Sequence, residues 1–203
     1  MTTKERIIDE ALTLFSTKGF KGTSVKNIAD AVGIKDSSLY KHFKSKQEIL
    51  DSIVETMNSR IGTMSDMIGI PSDNDMKKSA EIYAGFDEDR LVTFSKKVFL
   101  FYLKDPYISR FWRMGNIEQY NNPTVYRVFS KMFLEDSIAY QTELFKEMVK
   151  QKFFTQADPA VMAMNFYAPI YFLLSRYAMC PEKEEEALFL LERQVREFCR
   201  VYK

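Results

Sequence analysis

Apolar residues recur along this chain at three- and four-residue intervals nearly from end to end, the spacing of one helical face. Ile7, Ile8, Ala11, Leu12 and Phe15 form a first stripe, and Thr2 and Glu5 ahead of it have capping-box spacing. A helix is predicted from about Thr3 to Lys18, ended by Gly19. Val25, Ile28, Ala29 and Val32 fall at i, i+3, i+4 and i+7 and predict a second helix, with Thr23 or Ser24 as its N-cap. Gly33 supplies the positive φ that stops it, because a residue without Cβ adopts that conformation at little cost. Ile34 reads as a buried turn residue, and Asp36 or Ser37 can cap a third, short helix on which Leu39 and Phe43 face inward. Ser37, Ser38, Tyr40, Lys41 and His42 are then left facing outward.

A longer helix opens at Ser45, where Ser45 to Glu48 is again a capping box, and carries Ile49, Leu50, Ile53, Val54, Met57 and Ile61. The first three helices need this fourth to close their core. The pattern breaks at Gly69 to Asp75, the expected loop. Three later helix starts share a polar cap followed by proline, Asp105-Pro106, Asn122-Pro123 and Asp158-Pro159, where a missing N–H is harmless. They predict helices near 87–103, 106–116, 123–152, 159–178 and 184–201. Pro169 should kink or interrupt the fourth of these. No β-alternation or hairpin turn occurs, so the fold class is all-α. Two helices joined by a tight turn over 24–43 are the layout of a helix-turn-helix, whose second helix enters the DNA major groove.

Charge sharpens this reading. Net charge is +1, but residues 1–46 hold nine Lys or Arg against five acids, a local +4 that leaves −3 for the remainder. A basic head on a near-neutral body suits a DNA-reading module joined to a domain of another kind. The apolar fraction of 46% supports a sizeable core. Only Cys180 and Cys199 are present, so no disulfide framework is expected and a reducing cytoplasm suits the chain. The N-terminus is charged and amphipathic, so no signal peptide is expected. The run from Ala160 to Leu174 is too short for a membrane span and contains Asn165 and Pro169.

His42 is the only histidine, which excludes a histidine-rich metal site and a Ser/His or Cys/His pair elsewhere. With no Gly-rich phosphate loop, zinc pattern or nucleophile motif either, no catalytic residue, metal or cofactor is expected.

The residues Thr23-Ser24-Val25, Ile28-Ala29, Gly33-Ile34, Ser38-Leu39-Tyr40-Lys41-His42-Phe43-Lys44-Ser45-Lys46 and Glu48-Ile49-Leu50 together resemble the N-terminal domain of TetR/AcrR-type transcriptional regulators. The resemblance covers about residues 4–55. It implies a DNA-binding domain over 1–48 and a ligand-binding and dimerisation domain over 49–203. It also implies a homodimer on a palindromic double-stranded operator, repression of nearby genes, and release by a small molecule. Two positions depart from the family pattern. Ser37 stands where glycine or proline is frequent, and Asp36 brings a carboxylate to the front of the second helix, where it suits the helix dipole but repels phosphate.

On this resemblance Tyr40 and His42 meet the DNA backbone while Ser37, Ser38 and Lys41 lie closer to base edges. Lys46 is expected as a phosphate clamp, and Thr23 or Ser24 with the N–H groups behind them should bind a second phosphate. With Lys35 these make the expected DNA-binding set.

Aromatic density is the other feature. Ten of the 35 residues from Phe99 to Phe133 are aromatic, about twice the chain average of 14%. Core packing is the ordinary reason for aromatics at helical spacing, but such residues also line small-molecule cavities. The expected ligand-binding set is Phe99, Tyr102, Trp112, Met114, Tyr126, Phe129, Met132, Phe133, Phe166 and Tyr167. Following the resemblance, Phe166, Tyr167, Tyr171 and Phe172 with Leu188, Leu191, Val195 and Phe198 would pack against a second copy. The expected function is a ligand-released repressor in the cytoplasm, with no enzymatic or membrane role. The alternatives are an interaction adaptor or a constitutive regulator without a small-molecule ligand.

Overall fold

Local capping chemistry sets where the first helices begin and end. The computed structural model describes residues 1–68 and 75–203, so the loop expected at 69–75 lies outside them except for Asp75. Helix α1 (Thr3–Lys18) opens on the Thr2/Glu5 capping box, and Gly19 closes it at φ +77°. Helix α2 (Val25–Val32) opens on Ser24, whose side chain accepts the Asn27 N–H while Asn27 answers the Ser24 N–H. Gly33 ends α2 in the left-handed region, as its position predicts. Helix α3 (Asp36–Leu39) is a single regular turn, continued to Phe43 by i→i−3 and i→i−4 backbone bonds. Its N-cap is Lys35 and no side chain caps it, so the cap expected from Asp36 or Ser37 is not made. Asp36 instead occupies the first helical position, where the free N–H dipoles already favour a negative charge. Helix α4 (Lys46–Ile68) starts with Ser45 accepting the Glu48 N–H, while the Glu48 carboxylate reaches back one residue further, to the Lys44 N–H.

The remaining helices are α5 (Met76–Ala84), α6 (Glu88–Lys104), α7 (Pro106–Glu118), α8 (Pro123–Ser130), α9 (Asp136–Lys150), α10 (Pro159–Tyr177) and α11 (Glu184–Tyr202). All three Asp/Asn-Pro starts fall where the sequence places them. Three expectations change. Helix α5 was not among the helices expected: Met76, Ala80 and Tyr83 give its nine residues only a short apolar stripe, and Asp75 caps it by accepting the Lys78 N–H. The single helix expected over 123–152 is divided by a π-helical segment, Lys131–Glu135. That wider turn leaves the Phe133 carbonyl to the Tyr167 hydroxyl and the Met132 carbonyl to Ser137. Helix α10 runs on through Pro169, so the interruption, one of the two outcomes expected there, does not occur.

Packing divides the chain into two units. The first, Met1–Gly62 with Pro106–Ser130, is wider than the 1–48 segment expected to bind DNA. Its core joins Ile7, Leu12 and Phe15 of α1 with Ile28, Leu39, Phe43, Ile49 and Ile53, all fully or almost fully buried, and with Ile108 and Phe111 of α7. Arg110 fastens α7 to α1 through Asp9 at 2.6 Å and the Thr13 hydroxyl at 2.6 Å. The second unit, Thr63–Asp105 with Lys131–Lys203, packs α10 between α9 and α11. Its core centres on Phe198, whose ring lies 4.9 Å from Phe166 and 5.4 Å from Phe145. Arg196 bridges α11 to Glu88 and Asp89 at the start of α6. No helix among the described residues is long and apolar enough to cross a membrane.

Candidate nucleic-acid interface

The first unit presents the predicted helix-turn-helix with its apolar residues turned in and its polar ones turned out. Leu39 and Phe43 are buried, which rotates Ser37, Tyr40, Lys41 and His42 of the α3 segment to the surface. Tyr40 is 54% exposed, a large side chain presented to solvent. Lys35, Asp36 and Ser24 are also exposed, and Ser38 is half-buried. Lys26 of α2 and Lys44 beyond α3 add exposed cations to the same module. An α-helical turn carrying hydroxyls, a phenol, an imidazole and ammonium groups supplies donors for phosphate oxygens and base edges.

Thr23 and Lys46 are placed differently from the rest. Thr23 is 1% exposed, and its hydroxyl donates to the Gly19 carbonyl at 2.9 Å. That side chain organises the α1–α2 connection from inside, and only Ser24 of the pair faces out. Lys46 is half-buried at the start of α4, where its ammonium donates to Phe20 O at 2.5 Å and Thr23 O at 2.7 Å. It also lies 4.3 Å from the Phe20 ring centroid. Burial lowers its pKa from the ordinary lysine value, and the Glu118 carboxylate opposes that shift. Two of its three N–H groups are thus held by carbonyls.

Sequence reasoning missed Glu118. Its side chain is 5% exposed, and Oε1 accepts the Phe20 N–H at 2.9 Å, against the same connection that Lys46 grips. A lone acid at the end of a helix, 98 positions along the chain, carries no signal that would reveal this. Arg6, also unanticipated, donates to Val32 O at 2.5 Å, placing a cation at the C-terminal end of α2 where the dipole favours it.

The expected ligand-binding residues divide between the two units. In the first, Trp112, Met114 and Phe129 are buried, the Trp112 and Phe129 rings meeting edge-on at 5.4 Å, and Tyr126 is exposed. In the second, Phe99 and Phe133 are buried and Tyr102, Met132, Phe166 and Tyr167 are half-buried. There Tyr102 and Phe133 pack edge-on at 6.2 Å, and the Tyr167 hydroxyl donates to Phe133 O at 2.5 Å. Burial pushes the Tyr102 phenol up to about 12 and the Tyr167 phenol higher still. Of the residues expected to meet a second copy, Leu191, Val195 and Phe198 are consumed by the protomer's own core. Phe172 of that set is exposed, and the faces of α10 and α11 left uncovered add Val161, Met164, Phe189 and Val201 to it. No cluster of three or more metal-ligating side chains occurs among the described residues.

The sequence profile described as "Bacterial regulatory proteins, tetR family" matches residues 7–53. Over 52 residues the chain is 52% identical to IcaR, the negative transcriptional regulator of the icaADBC biofilm operon of Staphylococcus aureus; this is 26% of the chain and 28% of IcaR. The match therefore spans little more than a quarter of that relative's length. Over its whole length the chain is similar in fold to two solved structures. One, described as a TetR-family transcriptional regulator from Mesorhizobium loti, superposes with a TM-score of 0.70 at 19% identity, covering 98% of this chain and 96% of that one. The other is the regulator FadR of Bacillus subtilis in complex with stearoyl-CoA, with a TM-score of 0.62 at 18% identity, covering 94% and 97%. At these identities the likeness is one of fold.

Proposed function

We propose that this chain, a member of the TetR family of bacterial regulatory proteins, is a cytoplasmic transcriptional repressor that binds a double-stranded operator as a homodimer and is released by a small molecule. The observation that carries the reading is the orientation of the α3 segment. Burial of Leu39 and Phe43 commits Ser37, Tyr40, Lys41 and His42 to the surface of a helix-turn-helix. Lys41 and the serines are assigned to base edges, Tyr40 and His42 to backbone phosphates, and Ser24 with Lys35 to the flanks. The third N–H of Lys46 is assigned to a phosphate, its other two fixing the direction of the ammonium.

Two-fold symmetry supplies the second recognition helix, one or more DNA turns away. The uncovered apolar face of α10 and α11 supports pairing there with a second copy, Phe172 and Phe189 being its largest exposed side chains. For the small molecule, the neutral aromatic set of Tyr102, Phe133 and Tyr167, in mutual contact within the second unit, supports an apolar or aromatic ligand; Phe99, Met132 and Phe166 of the same unit are proposed with them. Trp112, Met114 and Phe129 are assigned to the core of the first unit. Repression itself follows the IcaR likeness of the DNA-reading module.

The test is selection of a duplex from a random pool by the wild-type chain, followed by titration of that duplex at several salt concentrations. Lys41→Ala and Tyr40→Phe should each weaken binding; the first also removes a cation and should lower the salt slope, whereas the second removes a neutral hydroxyl and should leave it unchanged. A chain that enriches no duplex, or variants that bind as the wild type does, would remove the reading.

A further inference from the structure

The peptide of Phe20 is held from both sides. Its N–H donates to the buried carboxylate of Glu118, from the end of α7, at 2.9 Å. Its carbonyl accepts from Lys46, at the start of α4, which also takes the Thr23 carbonyl. Gly19 lies so close to the carboxylate that a Cβ there would collide with Oε1. Four residues after Phe20, Ser24 caps α2, so these three groups fix the approach to a helix of the DNA-reading motif.

A neutral acceptor would satisfy the Phe20 N–H. A carboxylate 5% exposed carries a desolvation penalty, and its Oε2 has no hydrogen-bond partner among the described residues. The charge needs a purpose that a neutral side chain would not serve, and Lys46, the cation that grips the other side of the same peptide, supplies one.

Resting on the DNA-binding reading, we infer that Glu118 is a positioning residue for operator recognition, acting through the Phe20 peptide and the direction of the Lys46 ammonium. It lies outside residues 7–53, the segment that carries the family likeness. Without the anion, the Phe20 N–H loses its charged acceptor and the carbonyl that Lys46 grips is free to shift, so the ammonium turns with the peptide and the α1–α2 connection loosens ahead of Ser24.

The experiment compares Glu118→Gln with the wild-type chain on the selected duplex and on an unselected duplex of equal length. A positioning role lowers affinity for the selected duplex about tenfold, leaves the unselected one unchanged and preserves the helical circular dichroism. A purely electrostatic role would tighten both, since one anion near the phosphates has gone, and would overturn the inference. Wild-type affinity on both duplexes would overturn it as well. Glu118→Asp keeps the charge but withdraws it by one methylene. It should show the same selective loss, and carries the test if the amide variant does not fold. In a cycle with Lys46→Gln the double variant should bind no worse than the weaker single variant; additive losses would mean that the two residues act separately. Lys41→Ala separates the two ideas. If it weakens binding while Glu118→Gln does not, the positioning role alone fails. If the wild-type chain selects no duplex, the DNA-binding reading fails and takes this role with it.

Discussion

Gln194 of α11 donates its side-chain amide to the carbonyl of Asn165 on α10 at 3.0 Å. Asn165 stands four residues before Pro169, which has no N–H to return to that carbonyl. A neighbouring helix thus supplies the bond that the proline withholds, one reason α10 tolerates the residue without ending. Replacing Gln194 by Ala should lower stability by about 0.5–1 kcal/mol. In a Pro169→Ala background the helix satisfies Asn165 itself, and the same replacement should be close to neutral. Urea unfolding of the four chains in this cycle measures the coupling, and equal losses in both backgrounds would refute it.

Lys152 is the sole non-glycine residue with positive φ among the described residues, at 63°. It closes α9 in a Schellman arrangement, with its own N–H on Val149 O and the Phe153 N–H on Met148 O. A side chain in that conformation is strained, and glycine is not. Lys152→Gly should therefore stabilise the chain by about 0.5–1 kcal/mol, which for a chain of this size raises Tm by about 1–4 °C. A lower Tm would mean that the lysine side chain contributes more than its backbone strain costs.

What was legible in the sequence was local. Thr2 with Glu5, Ser24, Gly33 and the three prolines each act within four residues, so their spacing reports helix ends directly. The outward face of α3 was legible because Leu39 and Phe43 alone decide its rotation. The cap offered to Asp36 or Ser37 was misplaced because a residue able to cap also serves well at the first helical position, where Asp36 suits the helix dipole as its sequence position implied. Membership of α7 in the first unit was not legible. It depends on Arg110 meeting Asp9 and on Glu118 meeting Phe20, pairings about a hundred residues apart that leave no periodic trace. The same holds for the uncovered face of α11. The amphipathic stripe of Leu191, Val195 and Phe198 reads as an interface until α6 and α10 are seen to occupy it.

Gly115 of α7 faces the ring of Phe129 on α8 so closely that a Cβ would overlap three ring atoms. Both residues are buried in the first unit, and the ring is further constrained by Trp112. Gly115→Ala should destabilise the chain by about 1–3 kcal/mol through overpacking, despite the better helix propensity of alanine. Combining it with Phe129→Leu makes room and should recover part of the loss. Thermal unfolding, followed through Trp112 fluorescence, would detect both changes. A stabilised single variant would show that α7 and α8 separate easily.

Tyr102 and Tyr107 give the chain a defined alkaline limit. Burial pushes each phenol up to about 12, Tyr102 in the second unit and Tyr107 in the first. Tyrosine in the unfolded chain ionises near 10, so between about 10 and 12 the folded state keeps protons that the unfolded state has lost. Stability from these residues is complete below that window and falls as pH rises through it. Tyr102→Phe should flatten the fall in urea midpoint above pH 10, by up to the share of one proton. Tyr107→Phe should also lower stability at neutral pH by about 1 kcal/mol, because the Tyr107 hydroxyl donates to Ile53 O at 3.1 Å. Phenolate absorbance recorded during the titration distinguishes the cause. If Tyr102 ionised near 10 with the chain still folded, its phenol would be meeting water and the slope would owe nothing to it.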